Sequence, residues 1–152
     1  MKSFTFRLES VLSLRIREED RARELCAKAL SDQAAALMAL TNGNSELDSC
    51  HAELSRQRSG KTTRNQQILL LSALQQQQLN CKRLMMKCAS ADHEVAARRG
   101  ELLIARRKRE SLSNLKERQR AAHRLAQDRE QEALIADIIS SRHVINLREA
   151  HS

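Results

Sequence analysis

Small and apolar residues recur along the first part of the chain at alternating steps of three and four. Leu8, Leu12, Ala22, Cys26, Ala29, Ala36, Leu40, Leu47, Cys50 and Leu54 share one register, which persists through Arg15, Glu19, Gln33 and Gly43. A repeat of this kind predicts a long helix that buries a narrow stripe against a second helix. A second seam passes through Leu70, Leu74, Cys81, Leu84, Cys88, Ala91, Val95, Leu102, Ala105 and Leu112. The pattern therefore predicts an all-α fold: a long antiparallel two-helix coiled-coil hairpin with a C-terminal helical overhang. It forms one domain over residues 1–152, with helices over about 5–57 and 63–149 and a tip over about 58–62.

The two seams meet at "RSGKTTR", Arg58 to Arg64. Gly60-Lys61-Thr62 looks like the end of a phosphate-binding loop, but such a loop needs an earlier glycine where Ser55 stands and a buried strand ahead of it. The preceding "LDSCHAELSRQ" is charged and helix-periodic. Lys61 is therefore expected to make no phosphate contact. Thr63 followed by Gln66 fits a capping box, and Gly60 is expected to supply the backbone freedom for the reversal. Gly43, in "LTNGNSE", is a rival breaker. The seam holds its register across it, which predicts a weakened or kinked helix there. A reversal at residue 60 makes facing positions sum to about 121. Phe6 then faces Leu115, Arg7 faces Asn114, and the chain after Lys116 overhangs.

Composition narrows the function classes. The 152 residues include Phe4 and Phe6 but no Trp, Tyr or Pro, and only 3 Gly, with 30% charged residues. That is the make-up of a long helix or coiled coil and argues against a compact enzyme. No catalytic residue, metal site or cofactor is expected. Cys26, Cys50, Cys81 and Cys88 fall on seam positions, where a small apolar side chain packs well. The net charge is +8, concentrated in ten Lys or Arg between Arg98 and Arg124 against Glu101, Glu110 and Glu117. A nucleic-acid reader would add stacking aromatics or a known motif, so a solvated face or an acidic protein surface suits these cations better. The longest uncharged apolar run, "ILLLSAL", is far short of the ~20 residues that cross a bilayer. The N-terminus lacks a signal-peptide pattern, so the expected location is cytoplasmic, without membrane insertion.

The N-terminal "FTFRLESVLSLR" (Phe4 to Arg15) resembles the opening of the FliJ family of the flagellar type III export apparatus, and "LKERQRAAHRLAQDRE" (Leu115 to Glu130) resembles its C-terminal L-x-x-R-Q segment. The resemblance rests on Phe4, Phe6, Arg7, Leu8, Leu12, Arg15, Leu115, Arg118 and Gln119. The two seams joined by one turn predict that the hairpin is a monomer, and the resemblance implies a non-enzymatic stalk, peripherally associated with the inner membrane at the flagellar basal body. Its partners would be a hexameric export ATPase (FliI-like), an export gate protein (FlhA-like) and export chaperones. On this resemblance the ATPase would contact those nine residues; the charge of Arg120 and Arg124 beside them, and the apolar Leu134, Ile138 and Ile139 of the overhang, which lack a first-helix partner, extend the expected ATPase contact to these five. The gate protein would contact Ile68, Leu71 and Leu79. The sequence departs from the family in "EQEALIADII", where apolar residues replace acidic ones. Two other readings remain open: the stalk of a virulence type III system, and a basic coiled-coil scaffold or nucleic-acid-binding protein.

Overall fold

The computed structural model describes the backbone of residues 3–60 and 63–149 and the side chains as far as Arg142. Lys61 and Thr62, and with them the phosphate question at Lys61, lie outside the described residues. Two helices make up the fold: α1, Glu9–Arg58, and α2, Arg64–Glu149. They pack against each other as an antiparallel hairpin, and the described residues contain no strand. The helical run before Gly60 leaves no place for the strand that a phosphate-binding loop requires.

Burial follows the two seams. Leu12, Cys26 and Ala29 on α1, and Cys81, Cys88 and Val95 on α2, are buried, and the intervening seam positions are mostly half-buried. The flanks are exposed because two helices can enclose only the stripe between them. Polar seam residues find partners. Gln33 Nε2 donates to Asp92 Oδ1 at 2.6 Å, and Gln77 Nε2 donates to Glu46 Oε2 at 2.8 Å and to the Gly43 carbonyl at 3.2 Å. Glu19, 5% exposed, accepts from Arg23 at 3.0 Å. The Glu19–Arg23 bond lies within α1 and survives any slip, whereas a polar group satisfied across the seam in one alignment penalises the slipped ones, so the Gln33 and Gln77 bonds favour this register.

Three local expectations change. α1 starts at Glu9, later than the seam suggests: Phe4 to Leu8 precede the helix, and the Glu9 N–H donates to the Phe6 carbonyl at 3.2 Å. Glu9 then lies in the first turn, where a carboxylate favours the helix dipole. Gly43 neither ends α1 nor reverses it; it is a buried seam residue inside an unbroken helix. A β-carbon there would stand 2.8 Å from Leu84 Cδ1 and 3.6 Å from Cys81 Sγ. The glycine is a hole for Leu84. Gly60 is the third. None of the described glycines has a positive φ, so the reversal does not draw on the conformation that only glycine reaches easily.

The turn is closed by side chains and backbone. Ser59 Oγ donates to the Arg56 carbonyl at 2.8 Å, and the Gly60 N–H donates to the Gln57 carbonyl at 3.3 Å. The Thr63 N–H donates to Gln66 Oε1 at 3.2 Å, one arm of the expected capping box. With α1 ending at Arg58 and α2 starting at Arg64, the reversal is centred beyond Gly60. Contacts across the seam scatter around that centre: Lys116 sits over Phe6 close to where a reversal at Gly60 would place it, Gln77 reaches the Gly43 carbonyl, and Gln33–Asp92 and Glu9–Lys116 reach about four residues, one helical turn, further along α2.

Contacts divide the chain into two compact units, each containing segments of both helices. One comprises Glu18–Ala105; the other comprises Met1–Arg17 with Arg106–Ser152.

Candidate functional site

The unit that contains both termini gathers the two motif segments. Phe6 is buried, with Lys116 Nζ 6.0 Å from its ring centroid, a cation–π contact. The same ammonium makes an ion pair with Glu9 at 2.7 Å. The Phe4 and His123 rings are tilted by 59° with centroids 5.7 Å apart. These contacts tie the chain ahead of α1 to α2 between Lys116 and His123. Phe6 and Leu12 point into the seam, so they hold the two segments together rather than face outward. Arg15 is half-buried. Arg7, Leu8, Leu115, Arg118, Gln119, Arg120 and Arg124 are exposed around this junction.

Past His123, α2 loses the cover of α1. Every described side chain from Arg124 to Arg142 is exposed apart from the half-buried Gln127. Leu125, Leu134, Ile135, Ile138 and Ile139 are each more than half exposed, Ile139 at 63%. Leu134, Ile135, Ile138 and Ile139 share one exposed apolar face of α2.

Two open grooves flank the junction. One, of about 410 Å³, is lined by Val11, Arg15, Arg107, Lys108, Ser111 and Leu112. The other, of about 300 Å³, is lined by Ser111, Leu112, Asn114, Leu115 and Arg118. The motif reading missed Val11, Arg107, Lys108 and His123. Their signal lay in the seam itself, since residues next to a seam position line its edge once the alignment of the helices is known.

The charges here differ in state. Arg106 and Arg109 pair with Glu110, at 2.8 and 3.8 Å, and Lys116 pairs with Glu9. Arg107, Lys108, Arg118, Arg120 and Arg124 pair with none of the described carboxylates. They are free to meet an anionic surface.

Nearer the tip, in the other unit, Ile68, Leu71 and Leu79 are about half exposed. Leu71 also lines a small cavity of about 140 Å³ with Leu54, Gln57, Arg58 and Gln67. Leu71 thus borders α1, and the three residues form no enclosed pocket together. The four cysteines are free thiols on the seam.

The sequence profile of the family described as "Flagellar FliJ protein" matches residues 4–148. The chain belongs to the FliJ family. That membership makes it a protein of flagellar and type III export, in a family whose role is structural and coupling. It also accounts for the two motif segments, which the fold joins at one junction through Glu9–Lys116 and Phe4–His123. No curated protein and no solved structure matches the chain. Among the described residues, no helix of this family member is long and apolar enough to cross a membrane.

Proposed function

We propose that the chain is the stalk that couples a hexameric export ATPase to the export gate, promoting ATP turnover without chemistry of its own. The observation that carries this reading is the bare overhang beyond His123, with its exposed Leu134, Ile138 and Ile139, next to Arg7, Arg118, Arg120 and Arg124, which are exposed at the junction. A ring closing around that end would remove the apolar face from water and offer carboxylates to Arg7, Arg118, Arg120 and Arg124 in bidentate geometry. One rod in a six-fold ring contacts its subunits unequally, which biases their catalytic sites. The exposed Ile68, Leu71 and Leu79 supply a separate surface for the gate protein, and export chaperones are further partners. Through these contacts the protein would sit peripherally at the inner membrane.

The test is ATP turnover by the export ATPase with added stalk protein. Removal of the overhang should cut after Arg124, because a cut after Leu115 would also remove Lys116 and His123, which hold Phe6 and Phe4. The shortened protein should stay helical, lose most of its stimulation of turnover, and still bind the gate protein. Full stimulation would refute the overhang as the coupling element. Ile68→Asp with Leu71→Asp should do the reverse, and gate binding that persists in the folded double variant would remove that assignment.

A further inference from the structure

Within the Glu18–Ala105 unit, the face of α2 turned away from the seam carries no carboxylate. Steps of three and four residues trace this outer face from Ile68 to Ile104, a length of about 54 Å at ~1.5 Å per residue. Every side chain on it is exposed. Ile68, Leu69, Leu79, Met86, Leu103 and Ile104 stand along it, between 48% and 75% exposed. Lys82 and Arg83 lie near its middle, and the residues between are Ser, Gln, Ala and Gly, with His93 as the one other ionisable group.

A solvent-facing stripe is where a helix usually places its acidic residues. Between Arg64 and Ala105 these are Asp92, Glu94 and Glu101, and all three are turned aside. Asp92 accepts from Gln33 across the seam, and Glu94 and Glu101 hold Arg98 at 2.8 and 2.9 Å. Lys82 and Arg83, with Lys87 and Arg99 at the margins of the face, pair with none of the described carboxylates. The outer face of α1 in the same unit is built differently. It holds Asp20, Glu24 and Asp48 beside Arg21 and Lys28, with Met38 as its large apolar side chain.

An apolar ridge whose unpaired charges are all positive complements a bilayer with anionic headgroups. Apolar side chains dip below the phosphates while the cations meet them, and no carboxylate is there to be repelled. The outer face of one helix is also convex. It offers no groove for a partner's anchor side chain, whereas a plane touches it along its whole length. We propose that this face of α2 docks on the surface of an anionic lipid bilayer, with the helix lying in the plane of the interface and not spanning it. Ile68 and Leu79, which the gate protein would also use, stand toward the tip, and the variants below leave both unchanged.

The test is co-sedimentation of the full chain with vesicles, with neither ATPase nor gate protein present, so its failure leaves the stalk reading untouched. Vesicles of phosphatidylcholine with ~30% phosphatidylglycerol should carry down at least half of the protein at ~1 mM lipid, and phosphatidylcholine alone should bind at least about tenfold more weakly. At ~0.5 M salt, where charge attraction is screened, binding to the anionic vesicles should fall by a similar factor. Lys82→Gln with Arg83→Gln removes two cations, each worth about fivefold at such a surface, for a combined loss of about 25-fold. Met86→Gln, Leu103→Gln and Ile104→Gln together should lose at least about tenfold with every cation kept. Arg21→Gln with Lys28→Gln makes the same change of net charge on the outer face of α1 and should bind like the wild type. The altered side chains are all exposed, so helicity should survive. A wild type that ignores anionic vesicles, an equal loss from the Arg21 and Lys28 variant, or undiminished binding by the triple variant would overturn the proposal. The first of these outcomes would assign the face to a protein partner.

Discussion

Gly43 offers a sharp test of how this hairpin packs. In a solvent-exposed helix, Gly→Ala gains about 1 kcal/mol from backbone entropy alone. Here the new β-carbon would stand 2.8 Å from Leu84 Cδ1, so that methyl group must swing aside. Leu84 is half-buried and its end is flexible, so the cost is roughly one buried methyl group, about 0.8 kcal/mol. The two effects nearly cancel, and Gly43→Ala should change stability by less than about 0.5 kcal/mol. Gly43→Leu adds more side chain than a rotamer change can absorb. Overpacking costs typically 1–3 kcal/mol against the same ~1 kcal/mol gain, so a net loss of about 1–2 kcal/mol is expected. Leu84→Ala alone should lose about 2 kcal/mol, at the low end of leucine truncations because the residue is only half-buried. The decisive variant combines Gly43→Leu with Leu84→Ala, which moves the knob to the other helix at nearly constant volume. It should recover most of the loss, with a coupling energy above about 1 kcal/mol in the double-mutant cycle. Urea unfolding followed by far-UV circular dichroism gives all four values. If the coupling is below about 0.3 kcal/mol, Leu84 does not seat on Gly43 and the packing argument fails.

Two further outcomes follow from the same contacts. A β-carbon at Gly60 would meet only the Arg56 carbonyl oxygen, at 3.8 Å, and φ is not positive there, so Gly60→Ala should be neutral or stabilise by up to about 1 kcal/mol in urea unfolding. A clear loss would show that the turn needs glycine after all. Phe6→Ala removes the buried ring beneath Lys116 and should cost about 2–3 kcal/mol, less than in an enclosed core because a two-helix seam buries little else around it. Amide exchange should then accelerate at the start of α1, and protection unchanged at Leu12 would contradict the tie between the N-terminal segment and α2.

Much of this fold was legible in residue order alone. A repeat of three and four carried by Leu, Ala and Cys, in a chain with no proline, dictates two long helices and names the face each buries, because local periodicity and propensity act within a few residues. The N-terminal phenylalanines and the Leu115–Gln119 segment pointed to the FliJ family by the same local means. Properties that depend on two distant segments were decided by the tertiary structure. Which residues meet across the seam, Glu9 with Lys116 and Gln33 with Asp92, depends on how two segments far apart in the chain align. Gly43 reads as a breaker in its own sequence; only the arrival of Leu84 makes it a packing hole. Phe6 and Leu12 look like contact residues in a motif, yet the partner helix buries them. The exposed stripe of Leu134, Ile138 and Ile139 is visible in the sequence, but its significance comes from where α1 stops covering α2, because burial is a property of a pair of surfaces and the sequence writes down one surface at a time.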